Sequence, residues 1–200
     1  MLSFAAAVFF LIITPGPGVL STAGVGAAYG ARGGLRYVAG LWIGNNLVLA
    51  AVITGLAAIV LSVPVVRWVL MALSMGYLVY LAARIAFAGA KVAFIEAKSA
   101  PGIRAGVLLQ AINPKAYAVN TAFVSAFSYA PGNLLFETAT KALIINVIWI
   151  PIHLAWLWAG VALHRLDLSD RTQRAINIGM AASMLAVVLL ALVSAAASTP

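Results

Sequence analysis

Asn113-Pro114-Lys115 sets a cation inside an otherwise apolar stretch, and Thr14-Pro15-Gly16-Pro17-Gly18 interrupts another about a hundred residues earlier. Proline removes a backbone donor and clashes with the carbonyl one turn back, and glycine weakens a helix further. Each motif therefore opens the backbone. In hydrocarbon, freed amides and carbonyls are tolerated only where protein buries them or where they line a polar cavity, so each break is a candidate binding wall. Asn113 can cap a restarted helix, Pro114 needs no partner at its first position, and the restarted helix aims its positive end at the break. With the Lys115 ammonium, those amides suit an anionic group such as a carboxylate. The plainer reading is that Lys115 snorkels to an interface or pairs with a backbone carbonyl. A cation near the bilayer centre costs about 2.5–3.5 kcal/mol or more, which weighs toward function. For Thr14 to Gly18 the plainer reading is a packing kink.

Other polar residues stand within apolar runs elsewhere in the sequence. Gly40 and Gly44 have the GxxxG spacing of close helix packing, and Asn45-Asn46 follow directly. The two asparagines can either bridge helices or present amides to a ligand. Asn146 and His153 lie seven residues apart, hence on one helix face, and are expected to share a cavity; His153 is the candidate proton carrier. A lone histidine is more often a packing residue. Trp149, Trp156 and Trp158 read as interface anchors. All four acids, Glu96, Glu137, Asp167 and Asp170, are expected in loops or at helix ends. There is no cysteine, and no nucleophile-base pair or metal-ligating cluster stands at helical spacing. The residues therefore point away from an enzyme, a metal site or a cofactor.

The elements that must position these groups follow from composition. Of 200 residues, 64% are hydrophobic and 8% charged, and mean hydropathy is +1.09. A soluble domain carries about 25% charged residues, so this is an integral, multi-pass, all-α membrane protein whose main partner is the lipid bilayer. At roughly 20 residues per crossing the length allows about six helices in one domain. They are expected at about 2–24, 37–61, 67–84, 105–130, 142–163 and 175–197, with a basic turn over 29–36. A partly amphipathic surface segment is expected between Arg84 and Arg104. The first apolar run lacks a charged n-region and is kept as a helix rather than a signal peptide. The formal charge of +8 flanks apolar runs instead of forming one patch, which excludes a nucleic-acid partner. Nine of the twelve basic residues follow helices one, three and five, so the positive-inside rule puts those loops in the cytoplasm and both termini outside.

Three helices per half make the halves, about 1–98 and 99–200, an inverted 3+3 repeat. The breaks fall about twelve residues into helix one and about ten into helix four. Matched interruptions of this kind mark the midplane site of a transporter. The substrate-site candidates are Thr14, Pro15, Gly16, Pro17, Asn45, Asn46, Asn113, Pro114, Lys115 and Asn146.

Thr14-Pro15-Gly16-Pro17, the glycines at 30, 33, 34, 40 and 44, and Asn113-Pro114-Lys115-Ala116 together resemble the LysE/RhtB-type amino-acid exporters over the whole chain. The resemblance implies proton-driven efflux of amino acids or their derivatives across a bacterial inner membrane, and it allows for a homodimer. Gly18 stands where such proteins usually carry Asn, and Asn45 where many carry an acid. The competing readings are a carrier of another small solute or inorganic anion, and a membrane assembly subunit that transports nothing.

Overall fold

Long apolar runs in lipid must satisfy every backbone amide internally, and this chain does so with helices throughout. The computed structural model describes residues 1–14, 16–86, 100–165, 169, 171–172, 174–179, 181–182 and 185–186, and among them there is no strand. The elements are α1 (Leu2–Ile13), α2 (Pro17–Ile53), α3 (Leu56–Ser62), α4 (Pro64–Ala86), α5 (Ile103–Ile112), α6 (Pro114–Ser125) and α7 (Leu134–Arg165). Three apolar stretches, Pro17–Ile53, Pro64–Ala83 and Leu134–Leu163, are long enough to cross a membrane. The expected surface segment falls mostly on 87–99, and the end of the sixth helix on 187–200; both lie outside the described residues, as does Pro15.

As one straight rod, α2 would measure about 56 Å, far more than the roughly 30 Å of hydrocarbon. It is not straight. Gly30 adopts φ 70 and ψ −172, a conformation open essentially to glycine alone. Tyr37 donates to Ser21 Oγ at 3.0 Å, although these residues would sit about 24 Å apart in a continuous helix. The chain therefore reverses at Gly30 into two antiparallel legs. The basic turn expected over 29–36 shrinks to this one residue, because Ala31 onward is already helical. The second leg ends at Thr54-Gly55, where Gly55 at φ 77 starts the short α3.

The order of contacts gives the relative directions. Along the second leg, Gly40 meets Ile103, Gly44 meets Val107 and Gln110, and Asn45 meets Asn120, so α5 and α6 run parallel to it as one broken helix. Helix α7 runs the other way, with Asn146 at Asn46 and Leu157 at Gly34. The first leg follows α7, with Gly18 beside His153 and Gly160 beside Ala23. Helices α1 and α5–α6 are consequently antiparallel. Helix α7 begins two turns before the expected start, which brings Lys141 inside the helix instead of a loop.

Outer faces carry bare apolar residues such as Leu47, Ile59, Leu143 and Val147, while Ser21, Thr22, Asn45, Gln110, Asn113 and Asn120 are buried. Phe4, Val8 and Ile12, spaced four apart, form the inner stripe of α1, and Phe4 meets Phe123 and Phe127 edge-on at 5.9 and 5.5 Å. The legs approach so closely that a Cβ on Gly40 would strike the Ile103 carbonyl, and one on Gly160 the Ala23 carbonyl. Backbone cannot yield as a side chain can. Gly40→Ala and Gly160→Ala should each destabilise the bundle by about 1–3 kcal/mol. Gly76→Ala, which meets nothing within 4 Å, should be neutral or stabilising. Thermal unfolding of the detergent-solubilised variants measures the difference, and equal melting of all three would remove the close-packing argument.

Candidate functional site

Helix α1 runs 12 residues to its break and α5 runs 10, about 18 and 15 Å of helix from opposite ends of the bundle. Each distance is about half of a roughly 30 Å hydrocarbon core, and because the two helices are antiparallel the breaks arrive at one level. They touch there. Lys115 Nζ donates to the Thr14 carbonyl at 2.9 Å.

The freed backbone groups are accounted for locally. Asn113 Oδ1 caps α6 by accepting from the Lys115 amide at 3.1 Å, with Pro114 at the first helical position. Tyr117 Oη covers the Ala111 carbonyl at 2.8 Å. Asn113 Nδ2 donates to Gln110 Oε1 at 3.1 Å. Gly16 lies against the same side chain: a Cβ there would stand 2.8 Å from Lys115 Nζ, so a larger residue would displace the ammonium. A carbonyl satisfies one of three ammonium hydrogens and neutralises nothing. Among the described residues Lys115 has no carboxylate partner, so its charge and two donors remain available.

Between the breaks lies a cavity of about 60 Å³, lined among others by Thr14, Gly16, Asn45, Gln110, Asn113 and Lys115. It extends past Ile12, Val119, Phe123 and Ile145 toward the end of the bundle where α1 begins. Gly18, Gln110 and His153 close the other side, backed by the buried Tyr37 on Ser21. His153 stacks on Trp149 at 3.5 Å, and its Nδ1 lies 3.0 Å from the Trp149 carbonyl. A carbonyl only accepts, so Nδ1 carries the proton and Nε2, beside Gly18, is the free acceptor.

A broken-helix cavity with an unpaired lysine is what a solute carrier needs, and the family comparison agrees: the LysE type translocator model matches residues 9–195. The chain belongs to that family. It is a membrane transporter. No curated protein and no solved structure matches it.

The structure divides the expected site residues of this translocator into two groups. Thr14, Gly16, Asn45, Asn113 and Lys115 line the cavity, with His153; Pro17 and Pro114 open the helices that frame it. Asn46 and Asn146 do not line it. They bond reciprocally at 3.0 and 2.9 Å, and Trp42 Nε1 adds a 2.6 Å bond to Asn146 Oδ1. The expectation that Asn146 shares the cavity with His153 is thus corrected. Seven residues return to one face but advance about 10.5 Å along it. Over that distance the neighbour changes from the first-leg break to the second leg of the hairpin. Asn46 and Asn146 take the helix-bridging role.

Three residues of the translocator were missed in the sequence. Gln110 and Asn120 line the cavity, and their spacing of three and seven from Asn113 places all three on one stripe of the broken helix. Glu137 stands at a helix end, the first turn of α7, as expected; what was missed is that it is buried there and pairs with Lys141 at 2.7 Å, an i,i+4 spacing readable in the sequence. Its other oxygen accepts from the Tyr129 and Ala130 amides at 3.1 and 2.7 Å, and Lys141 also donates to the Val124 carbonyl at 2.9 Å. This pair sews the end of α6 to the start of α7 beside a second cavity of about 40 Å³. Lys141→Met, which keeps the stem and leaves a buried carboxylate unpaired, should lower the melting temperature by several degrees. Lys141→Arg should restore most of the loss. Unchanged melting of Lys141→Met would reduce the pair to a surface contact.

Proposed function

We propose that this translocator exports amino acids or their derivatives across a bacterial inner membrane, driven by the proton-motive force. The observation that carries the proposal is Lys115: a cation without a carboxylate partner among the described residues, at the meeting point of two helix breaks, lining the cavity between them. A substrate carboxylate would take its two spare donors and the positive end of α6. In doing so it competes with the Thr14 carbonyl and so loosens the tie between the breaks. Alternating access follows if the halves rock about that tie as an inverted 3+3 repeat. The antiparallel arrangement of α1 and α5–α6 supports the repeat. His153 Nε2, inside the cavity, is the candidate proton acceptor. The same unpaired Lys115 favours one second reading, a small inorganic anion as cargo.

Efflux from cells loaded with dipeptides tests the transport reading. The native chain should raise extracellular amino acid above an empty-vector control, and equally expressed Lys115→Ala should lose about tenfold or more of that efflux. His153→Gln should keep downhill exchange and lose uphill efflux. Export of phosphate or sulfate, with no amino-acid efflux, would favour the anion reading; full activity of Lys115→Ala would remove the carboxylate site.

Six crossings with both termini outside are part of the proposal, and the absence of native cysteine makes them testable. In spheroplasts, Ser3→Cys and Gly132→Cys should react with a membrane-impermeant maleimide, and Arg32→Cys only after permeabilisation. The opposite labelling pattern would invert the topology.

A further inference from the structure

We infer that Asn120 holds the substrate's ammonium group and makes the cavity selective for small zwitterions over simple carboxylates. The inference rests on the exporter reading above and adds the other half of the substrate to it.

Asn120 is 2% exposed and lines the cavity from the second turn of α6. Its Nδ2 donates to the Ala116 carbonyl at 2.8 Å and to Asn45 Oδ1 at 3.1 Å. The Ala116 carbonyl can only accept, so the amide cannot be turned the other way, and both of its hydrogens are used. Asn120 Oδ1 is then left buried with no hydrogen-bond partner among the described residues. Buried acceptors are nearly always satisfied, and one left unmet on a side chain that lines a cavity points to a donor that arrives with the contents.

The position of Lys115 says which donor. Asn120 follows it by five residues on α6, about 7.5 Å along the axis. Both side chains line the same cavity, so one α-amino acid can face the two of them at once. The carboxylate faces the cation and the ammonium faces the neutral acceptor, away from Lys115. The one carboxylate paired among the described residues, Glu137, is taken by Lys141 and does not line this cavity. An ammonium therefore meets amide oxygen here, which suits a neutral amino acid and disfavours a second positive charge. Size narrows the class further. A water needs roughly 10–15 Å³ by this measure, so about 60 Å³ accommodates something on the scale of glycine, alanine or serine.

The test uses the full chain in proteoliposomes exchanging radiolabelled glycine, L-alanine or L-serine, with glycolate, L-lactate or glycerate as competitors that replace the ammonium by a hydroxyl. The native protein should prefer each amino acid over its hydroxy acid by about tenfold or more. Asn120→Leu should bring that ratio near unity by weakening only the amino acid, while Asn120→Asp, which keeps an acceptor and adds charge, should preserve or raise it. If Asn120→Leu does not fold, the Asn120→Asp ratio decides alone, and a ratio below the native one overturns the assignment. Parallel loss of amino and hydroxy acids in Asn120→Leu, with Asn120→Asp unable to rescue, marks Asn120 as structural and overturns it too. If the native protein exchanges the amino acids and Asn120→Leu keeps its preference, the ammonium site falls and the exporter reading stands. If the native protein exchanges none of them, both fall.

Discussion

An ammonium group held between two helix breaks by a neutral carbonyl is the constraint on which the rest of this molecule depends. The Lys115–Thr14 contact joins the two interrupted helices where their breaks meet. A hydrogen bond to a carbonyl makes the cation tolerable there without cancelling its charge. The residues nearby leave that charge unneutralised. Gly16 contributes no side chain, Asn113 absorbs the nearest free amide, and aliphatic residues of α1 and α6 screen the outer wall.

Elsewhere the interior disposes of polarity in the opposite way, by saturating it. Glu137 and Lys141 satisfy each other and the loop between their helices, and Asn46 and Asn146 exchange both of their amide bonds. Such closed sets fasten helix to helix and have little left to offer a ligand. The cavity differs in having unused capacity: two hydrogens on Lys115, Nε2 of His153 and Oδ1 of Asn120. Buried polarity that is spent belongs to the scaffold, and buried polarity held in reserve belongs to the site.

That distinction explains which parts were legible in the sequence. Proline and glycine act on their own backbone, so both breaks, the Asn113 cap and the basic cation between them could be read from short words. The all-helical character and the three longest apolar helices were legible for similar reasons, since hydropathy is local. Residues whose role depends on a distant partner were not. Asn46 and Asn146 lie a hundred residues apart, and nothing in either neighbourhood says that they bond each other. Asn120 is one asparagine among several until Asn45 and Ala116 fix its amide. Glu137 and Lys141 were concealed by a helix start placed too late, which turned an i,i+4 pair into two loop charges. The turn at Gly30 was sought across eight residues because glycine and arginine suggest a loop, whereas a single left-handed glycine suffices.

That single-residue reversal bears on how the protein is made. With no linker between the first two legs, and with Ser21 and Tyr37 bonded across them, neither leg can enter the bilayer far ahead of the other. They form one antiparallel hairpin whose tip carries Arg32 and Arg36, so the same glycine sets both the reversal of the chain and the place where two of its positive charges gather.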